Sequence, residues 1–259
     1  MMDTLFIDLD GTLVNSRAAF NNLFDDLAGK FLNDKNSGGN LSKSFKENCA
    51  LKFHTLPHSD YLERIGWGWD NMFYSDFTGG DSKLLDLKNA AVVYRYSIIK
   101  TVLGGFGITD NILIEPMINY IRENWINYYR PFPDTHAFLE ECKNSKKYIL
   151  TNGFADIQIK KIHHCGFYEK FDGIFISGNY GIGKPDTKYF QIVLNSTGAE
   201  IKSTVMIGNS LFSDIAGAKN MGMKTIWIKE KVIPESEKNI TPDAAVTNLA
   251  EVPELLKNL

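Results

Sequence analysis

The chain has 259 residues, of which 44% are hydrophobic and 23% charged, enough for a well-buried core in one or two domains. A net charge of -3, with basic residues dispersed, gives no field to hold nucleic acid or an anionic membrane. Asp3, Asp8 and Asp10 interrupt the N-terminal apolar run, so no signal peptide is visible, and Ala90 to Ile108 contains Arg95 and Lys100 and falls short of a membrane span.

Thr4-Leu5-Phe6-Ile7 predicts a buried strand that runs into Asp8-Leu9-Asp10-Gly11-Thr12. Strand side chains alternate, so Asp8 and Asp10 project to the same side while the chain stays extended. Two acids so placed repel unless a cation or a shared proton offsets them. The pattern points to a divalent metal beside a carboxylate nucleophile. From about Asn15 to Arg130 no strand–helix alternation is visible. Helical stretches lie around Arg17 to Phe31, Leu84 to Leu103 and Pro116 to Tyr129. Ser37-Gly38-Gly39-Asn40 and Phe77-Thr78-Gly79-Gly80-Asp81 read as turns or loops between them. The segment reads as a mostly helical module inserted after the first strand, and Pro131-Phe132-Pro133 marks the return to the core.

From about Lys146 the alternation is regular. Strands are predicted at Lys147 to Thr151, Gly173 to Ser177, Thr204 to Gly208, Lys224 to Ile228 and, briefly, Ala244 to Val246. Helices are predicted at Phe154 to Cys165, Thr187 to Thr197, Leu211 to Met221 and Ala250 to Leu259, three of them closed by Gly166, Gly198 and Gly222. This pattern predicts an α/β fold with a Rossmann-like parallel sheet, which binds ligands at the carboxyl ends of its strands. The expected division is a core of residues 1–14 and 131–259 with a helical module of residues 15–130.

Four polar segments fall at those ends or on loops that reach them: Asp8 to Thr12, Thr151-Asn152-Gly153, Gly183-Lys184-Pro185-Asp186, and Gly208-Asn209-Ser210-Leu211-Phe212-Ser213-Asp214. In this order and spacing they resemble the four motifs of the haloacid dehalogenase-like superfamily, and Asp8 to Thr12 matches its phosphatase form. The long insertion resembles the helical cap of C1-capped members. The resemblance implies a Mg²⁺-dependent phosphomonoester hydrolase acting on a small phosphate ester such as a nucleotide or sugar phosphate, with neither nucleic acid nor membrane as partner. It also assigns roles. Asp8 is the nucleophile, forming an aspartyl-phosphate, and Asp10 is the general acid and base. Thr151 and the backbone N–H of Asn152 hold phosphoryl oxygens, and Lys184 neutralises charge. Mg²⁺ lies among Asp8, the backbone carbonyl of Asp10, and the segment containing Asn209 and Asp214.

One position departs from the pattern. The fourth motif usually opens Gly-Asp, and here it is Gly208-Asn209, which offers the metal an oxygen without charge. Two other readings follow from that residue. One is a 2-haloacid dehalogenase, against which Asp10 argues because no leaving alkoxide needs a proton there. The other is a catalytically weak binding or regulatory protein of the same fold.

Other residues suggest plainer roles. His163 and His164 read as surface or packing residues, and His54 and His58 as loop residues. Tyr61, Trp67, Trp69, Phe73, Tyr74 and Phe77 read more as the helical module's own core than as a pocket lining. Arg17, Arg95 and Arg122 are candidates to reach a substrate anion. Cys49, Cys142 and Cys165 show no paired spacing, so we expect reduced thiols and a cytoplasmic protein.

Overall fold

The computed structural model describes residues 3–229 and 233–259. Strands β1 (Thr4–Ile7), β2 (Lys146–Thr151), β3 (Gly173–Ile176), β4 (Thr204–Gly208), β5 (Lys224–Ile228) and β6 (Ala244–Val246) form one sheet in the order β3-β2-β1-β4-β5-β6. Every pairing is parallel, and Ile7 stands opposite Ile149 on one side and Ile207 on the other. The chain winds outward from β1 in one direction and, from β4, in the other. A crevice opens at such a reversal, outside the carboxyl ends of the strands. The first strand therefore delivers its acids to the sheet's natural ligand position.

The apolar run of β1 is buried on both faces, as a central parallel strand requires. Leu5 and Ile7 pack with Ile149, Val205, Ile207 and Ile226 on one face. Phe6 turns to the other and packs with Leu150, Met206, Tyr189 and Phe190.

Helices α1 (Ser16–Phe31), α2 (Gly38–Lys52), α3 (Ser59–Arg64), α4 (Asn71–Tyr74), α5 (Ser82–Gly105) and α6 (Ile114–Asn124) all fall between β1 and β2 in sequence. The ends of this segment meet: Asn15 N donates to Arg130 O, and Phe132 N to Leu13 O, both at 3.0 Å. Its interior is aromatic, with Phe45 ring centroids 4.8 Å from Phe24 and 4.6 Å from Phe73. Arg95 is buried there and donates to Met72 O and Ser75 O at 2.6 and 2.8 Å. The remaining helices are α7 (Thr135–Glu141), α8 (Ala155–His164), α9 (Thr187–Thr197), α10 (Gly217–Asn220) and α11 (Val252–Leu256). Among the described residues, no helix is long and apolar enough to cross a membrane.

The structure corrects three local expectations. Gly38 and Gly39 open α2 instead of forming a turn. A Cβ at Gly38 would lie 2.7 Å from the Asp25 Cα, so glycine serves there to let α2 approach α1 closely. Leu211 to Met221 is not one regular helix: a π-helical turn over Leu211–Ala216 precedes the short α10. Its wider winding accompanies the return of the Asp214 carboxyl toward β4, where Oδ2 accepts from Ser210 N at 3.0 Å. The C-terminal helix is also shorter than expected, with a 3₁₀ turn over Leu249–Glu251 leading into α11.

Candidate active site

Asp8 is the first residue beyond β1 and stays aligned with β4 by donating its N–H to Ile207 O at 2.9 Å. The side chain is buried. Lys184 meets it from the loop before α9, with Nζ 2.7 Å from Asp8 Oδ1. The same ammonium lies 2.7 Å from Asp214 Oδ1 and donates to Leu150 O at 2.7 Å. One buried cation thus links two carboxylates from the ends of β1 and β4. Burial pushes the Asp8 carboxyl up to about 7, Lys184 pulls against that rise, and the charge of Asp214 adds to it. Burial also works against the charge on Lys184, yet Asp214 and Asp8 together raise it above the ordinary lysine value.

The loop carrying Lys184 is pinned by Asn152. Asn152 Nδ2 donates to Lys184 O at 2.8 Å, and Lys184 N donates to Asn152 Oδ1 at 2.9 Å. The Asn152 side chain therefore holds the cation's loop, and its sequence-assigned contribution to phosphate is a backbone one. On the opposite side, Thr12 Oγ1 lies 3.2 Å from Asp8 Oδ2 and 3.3 Å from Asn209 Oδ1. Gly11 permits this closeness: its φ is +84°, and a Cβ there would sit 2.5 Å from Asn209 Nδ2.

Asp10 turns toward α8. Lys161 Nζ lies 2.9 Å from each of its carboxylate oxygens, and Gln158 Nε2 donates to Oδ2 at 2.8 Å. Gln158 Nε2 also donates to Thr151 Oγ1. Lys161 is almost fully buried, and its ammonium stands 4.8 Å from the centroid of the Tyr129 ring.

These groups open into a cavity of about 720 Å³. Asp8, Asp10, Thr151, Asn152 and Asn209 line it from the strand ends, and Arg17, Phe20, Lys46, Trp67, Trp69 and Asp70 line it from the helical segment. Burial holds Asp70 above the usual carboxylate range, although Lys161 works against the rise. Of the aromatics singled out in sequence, Trp67 and Trp69 face this space, whereas Phe73, Tyr74 and Phe77 are buried. Among the three arginines, Arg17 reaches the cavity, Arg95 holds backbone carbonyls, and Arg122 pairs with Asp76 at 2.9 Å.

Sequence reasoning missed Gln158, Lys161, Lys46 and Asp70. Gln158 and Lys161 left a usable signal: they are three residues apart on the helix that starts just after Thr151-Asn152-Gly153, so they share a face near the strand end. Lys46 and Asp70 come from the inserted segment, where nothing in the sequence distinguishes them from ordinary surface charges.

Asp8 Oδ2 and Asn209 Oδ1, both close to one hydroxyl, give an all-oxygen donor pair suited to a hard cation. Both oxygens of Asp214 are engaged, by Lys184 and by Ser210 N. Among the described residues no three His, Cys, Asp or Glu side chains form a closed cage. Mg²⁺ fits such a set, because it keeps several waters and commonly takes only one or two carboxylates together with substrate phosphate.

A family model for haloacid dehalogenase-like hydrolases matches residues 2–222. A phosphoserine phosphatase of Thermus thermophilus is 27% identical over 97% of this chain and 98% of its own length. A glyceraldehyde 3-phosphate phosphatase of Methanocaldococcus jannaschii is 29% identical over 62% of this chain and 71% of its own. The HAD-hydrolase YfnB of Bacillus subtilis, solved with bound magnesium, superposes with a TM-score of 0.66 at 20% identity, covering 98% of this chain and 97% of that one.

Proposed function

The chain belongs to the haloacid dehalogenase-like hydrolase family, and from that premise we propose that it is a Mg²⁺-dependent phosphomonoester hydrolase acting on a small phosphorylated metabolite, a nucleotide or a sugar phosphate. Relatives named as phosphatases support this reading. The observation that carries it is the buried Asp8–Lys184–Asp214 cluster at the reversal of the sheet, with Asp10 two residues beyond the nucleophile.

In this reading the Asp8 carboxylate attacks phosphorus, and the bond from phosphorus to the ester oxygen breaks. Asp10 gives its proton to the departing oxygen. Water then attacks the aspartyl-phosphate, Asp10 takes a proton from it, and phosphate and free Asp8 are restored. Lys184 offsets charge on Asp8 and on the transferring group, while Thr151 and the Asn152 N–H hold phosphoryl oxygens. Asp8, the carbonyl of Asp10 and the segment of Asn209 and Asp214 would hold Mg²⁺, which when bound would supply positive charge against the phosphoryl oxygens. Residues 15–130 serve as a cap: their side chains wall a cavity whose size suits a small ligand.

Screening phosphorylated metabolites with Mg²⁺ tests the proposal. We expect turnover of at least one, abolished in Asp8→Asn. Activity surviving that change removes the mechanism. Asn209 favours a second reading, the dehalogenase; chloride release from a 2-haloacid without added metal would support it. No turnover on a broad panel of phosphate esters would instead favour a binding role.

A further inference from the structure

We propose that Lys161 and Gln158, on one face of α8, are the positioning pair that sets the general acid Asp10 and aims the Thr151 hydroxyl at the phosphoryl group. This inference rests on the hydrolase reading above. Its starting point is the cost of burial. Lys161 is 4% exposed and Gln158 1%, and an ammonium or a primary amide so placed is unfavourable unless its hydrogens are matched. Here the matches all lead to reacting groups. Lys161 Nζ is equidistant from the two oxygens of Asp10, at 2.9 Å, which fixes the plane of that carboxyl group. The Tyr129 ring face lies beneath the ammonium and limits where it can move.

Gln158 adds a direction. The Gln158 group facing Asp10 is its NH₂, which donates to Oδ2 at 2.8 Å. That nitrogen has a second hydrogen, which it gives to Thr151 Oγ1. Thr151 therefore accepts from α8, and its own proton points elsewhere. Among the described residues it goes to Asn152 O at 3.4 Å, a weak match. A phosphoryl oxygen in the cavity that Thr151 lines takes that proton better. One amide thus couples the orientation of the acid to that of the phosphate donor.

A structural role and a positioning role differ in which substrates suffer. Asp10 matters most when the departing oxygen is strongly basic and must be protonated; a nitrophenolate leaves without such help. The test uses full-length Lys161→Ala, Lys161→Arg and Gln158→Leu with Mg²⁺ on a series running from p-nitrophenyl phosphate through phenyl phosphate to an alkyl phosphate. For Lys161→Ala we expect kcat on the alkyl ester to fall about 100-fold or more, and on p-nitrophenyl phosphate less than about 10-fold. KM should stay nearly constant, and Lys161→Arg should recover most of the alkyl rate. Gln158→Leu should show the same tilt and additionally raise KM, because Thr151 loses its orientation. An equal loss across the series, a change in KM alone for Lys161→Ala, or no change overturns the proposal. Should Lys161→Ala fail to fold, Gln158→Leu decides it by the same slope. A wild-type chain inert on the whole series overturns the hydrolase reading itself, a separate and recognisable failure.

Discussion

Lys184 Nζ stands 2.7 Å from Asp8 Oδ1, and the same ammonium is 2.7 Å from Asp214 Oδ1, with all three side chains buried. Removing one member of a buried ionic group leaves the others uncompensated, which costs about 3–5 kcal/mol. Lys184→Met leaves two carboxylates facing each other with no cation between them. We expect it to lower unfolding free energy by about that amount in urea titrations at neutral pH and to cut kcat at least about 100-fold. A Lys184→Met protein as stable as the wild type would show that the cluster contributes nothing to the fold.

Asp8 itself behaves oppositely. Burial holds its folded carboxyl at about 7 against an ordinary value of 3.8. Between those two values the native state binds more protons than the unfolded state, so this group's contribution to stability falls as pH rises through the window. Asp8→Asn cannot ionise and escapes the loss. In chelator, the melting temperature of Asp8→Asn should match the wild type near pH 4 and exceed it increasingly up to about pH 7. The gap should then level off, on the order of 10 °C. A gap that narrows with rising pH would contradict the assignment.

Asp156 ties the helical segment to the start of α8. Its carboxylate accepts from Asp76 N at 2.7 Å, Phe77 N at 3.1 Å and Ser75 Oγ at 3.0 Å. These donors lie in the loop between α4 and α5. Asp156→Ala leaves two backbone N–H groups without that acceptor, at about 1–3 kcal/mol. Asp156→Asn keeps an acceptor and should cost less. Urea unfolding of both variants checks the ranking, and equal costs would show that charge, not hydrogen bonding, dominates.

The sheet was legible because its strands obey simple rules. Thr204 to Gly208 is short, mostly apolar and followed by Asn209-Ser210, Lys224 to Ile228 comes directly after the Gly222 turn, and both strands match their expected limits. The position of Asp8 followed from the same logic, since after Thr4 the strand before it is wholly apolar. The site's other half was not legible. That Lys161, 151 residues downstream, faces Asp10 depends on how its helix packs over the sheet. Spacing within that helix gives a face but not its direction. The double glycine at Gly38 misled for a related reason: glycine marks turns and close helix crossings alike, and only the neighbouring Asp25 backbone distinguishes them.

Asn209 provides the sharpest test of how the cation is held. Its Oδ1 and Asp8 Oδ2 flank the Thr12 hydroxyl at 3.3 and 3.2 Å, so a carboxylate at position 209 would place a second negative charge next to the Asp8 carboxyl group. Without metal that is repulsive, and Asn209→Asp should melt below the wild type in chelator. With metal the added charge becomes favourable, because cation affinity rises with ligand charge. The half-saturating Mg²⁺ concentration should fall about tenfold, and Mg²⁺ should raise the melting temperature of Asn209→Asp more than that of the wild type, as expected for a ligand that binds the native state more tightly. The two signs must appear together. Lower stability in chelator without tighter Mg²⁺ binding would mean that residue 209 faces Asp8 but not the ion, and the proposed place of the metal beside it would be wrong.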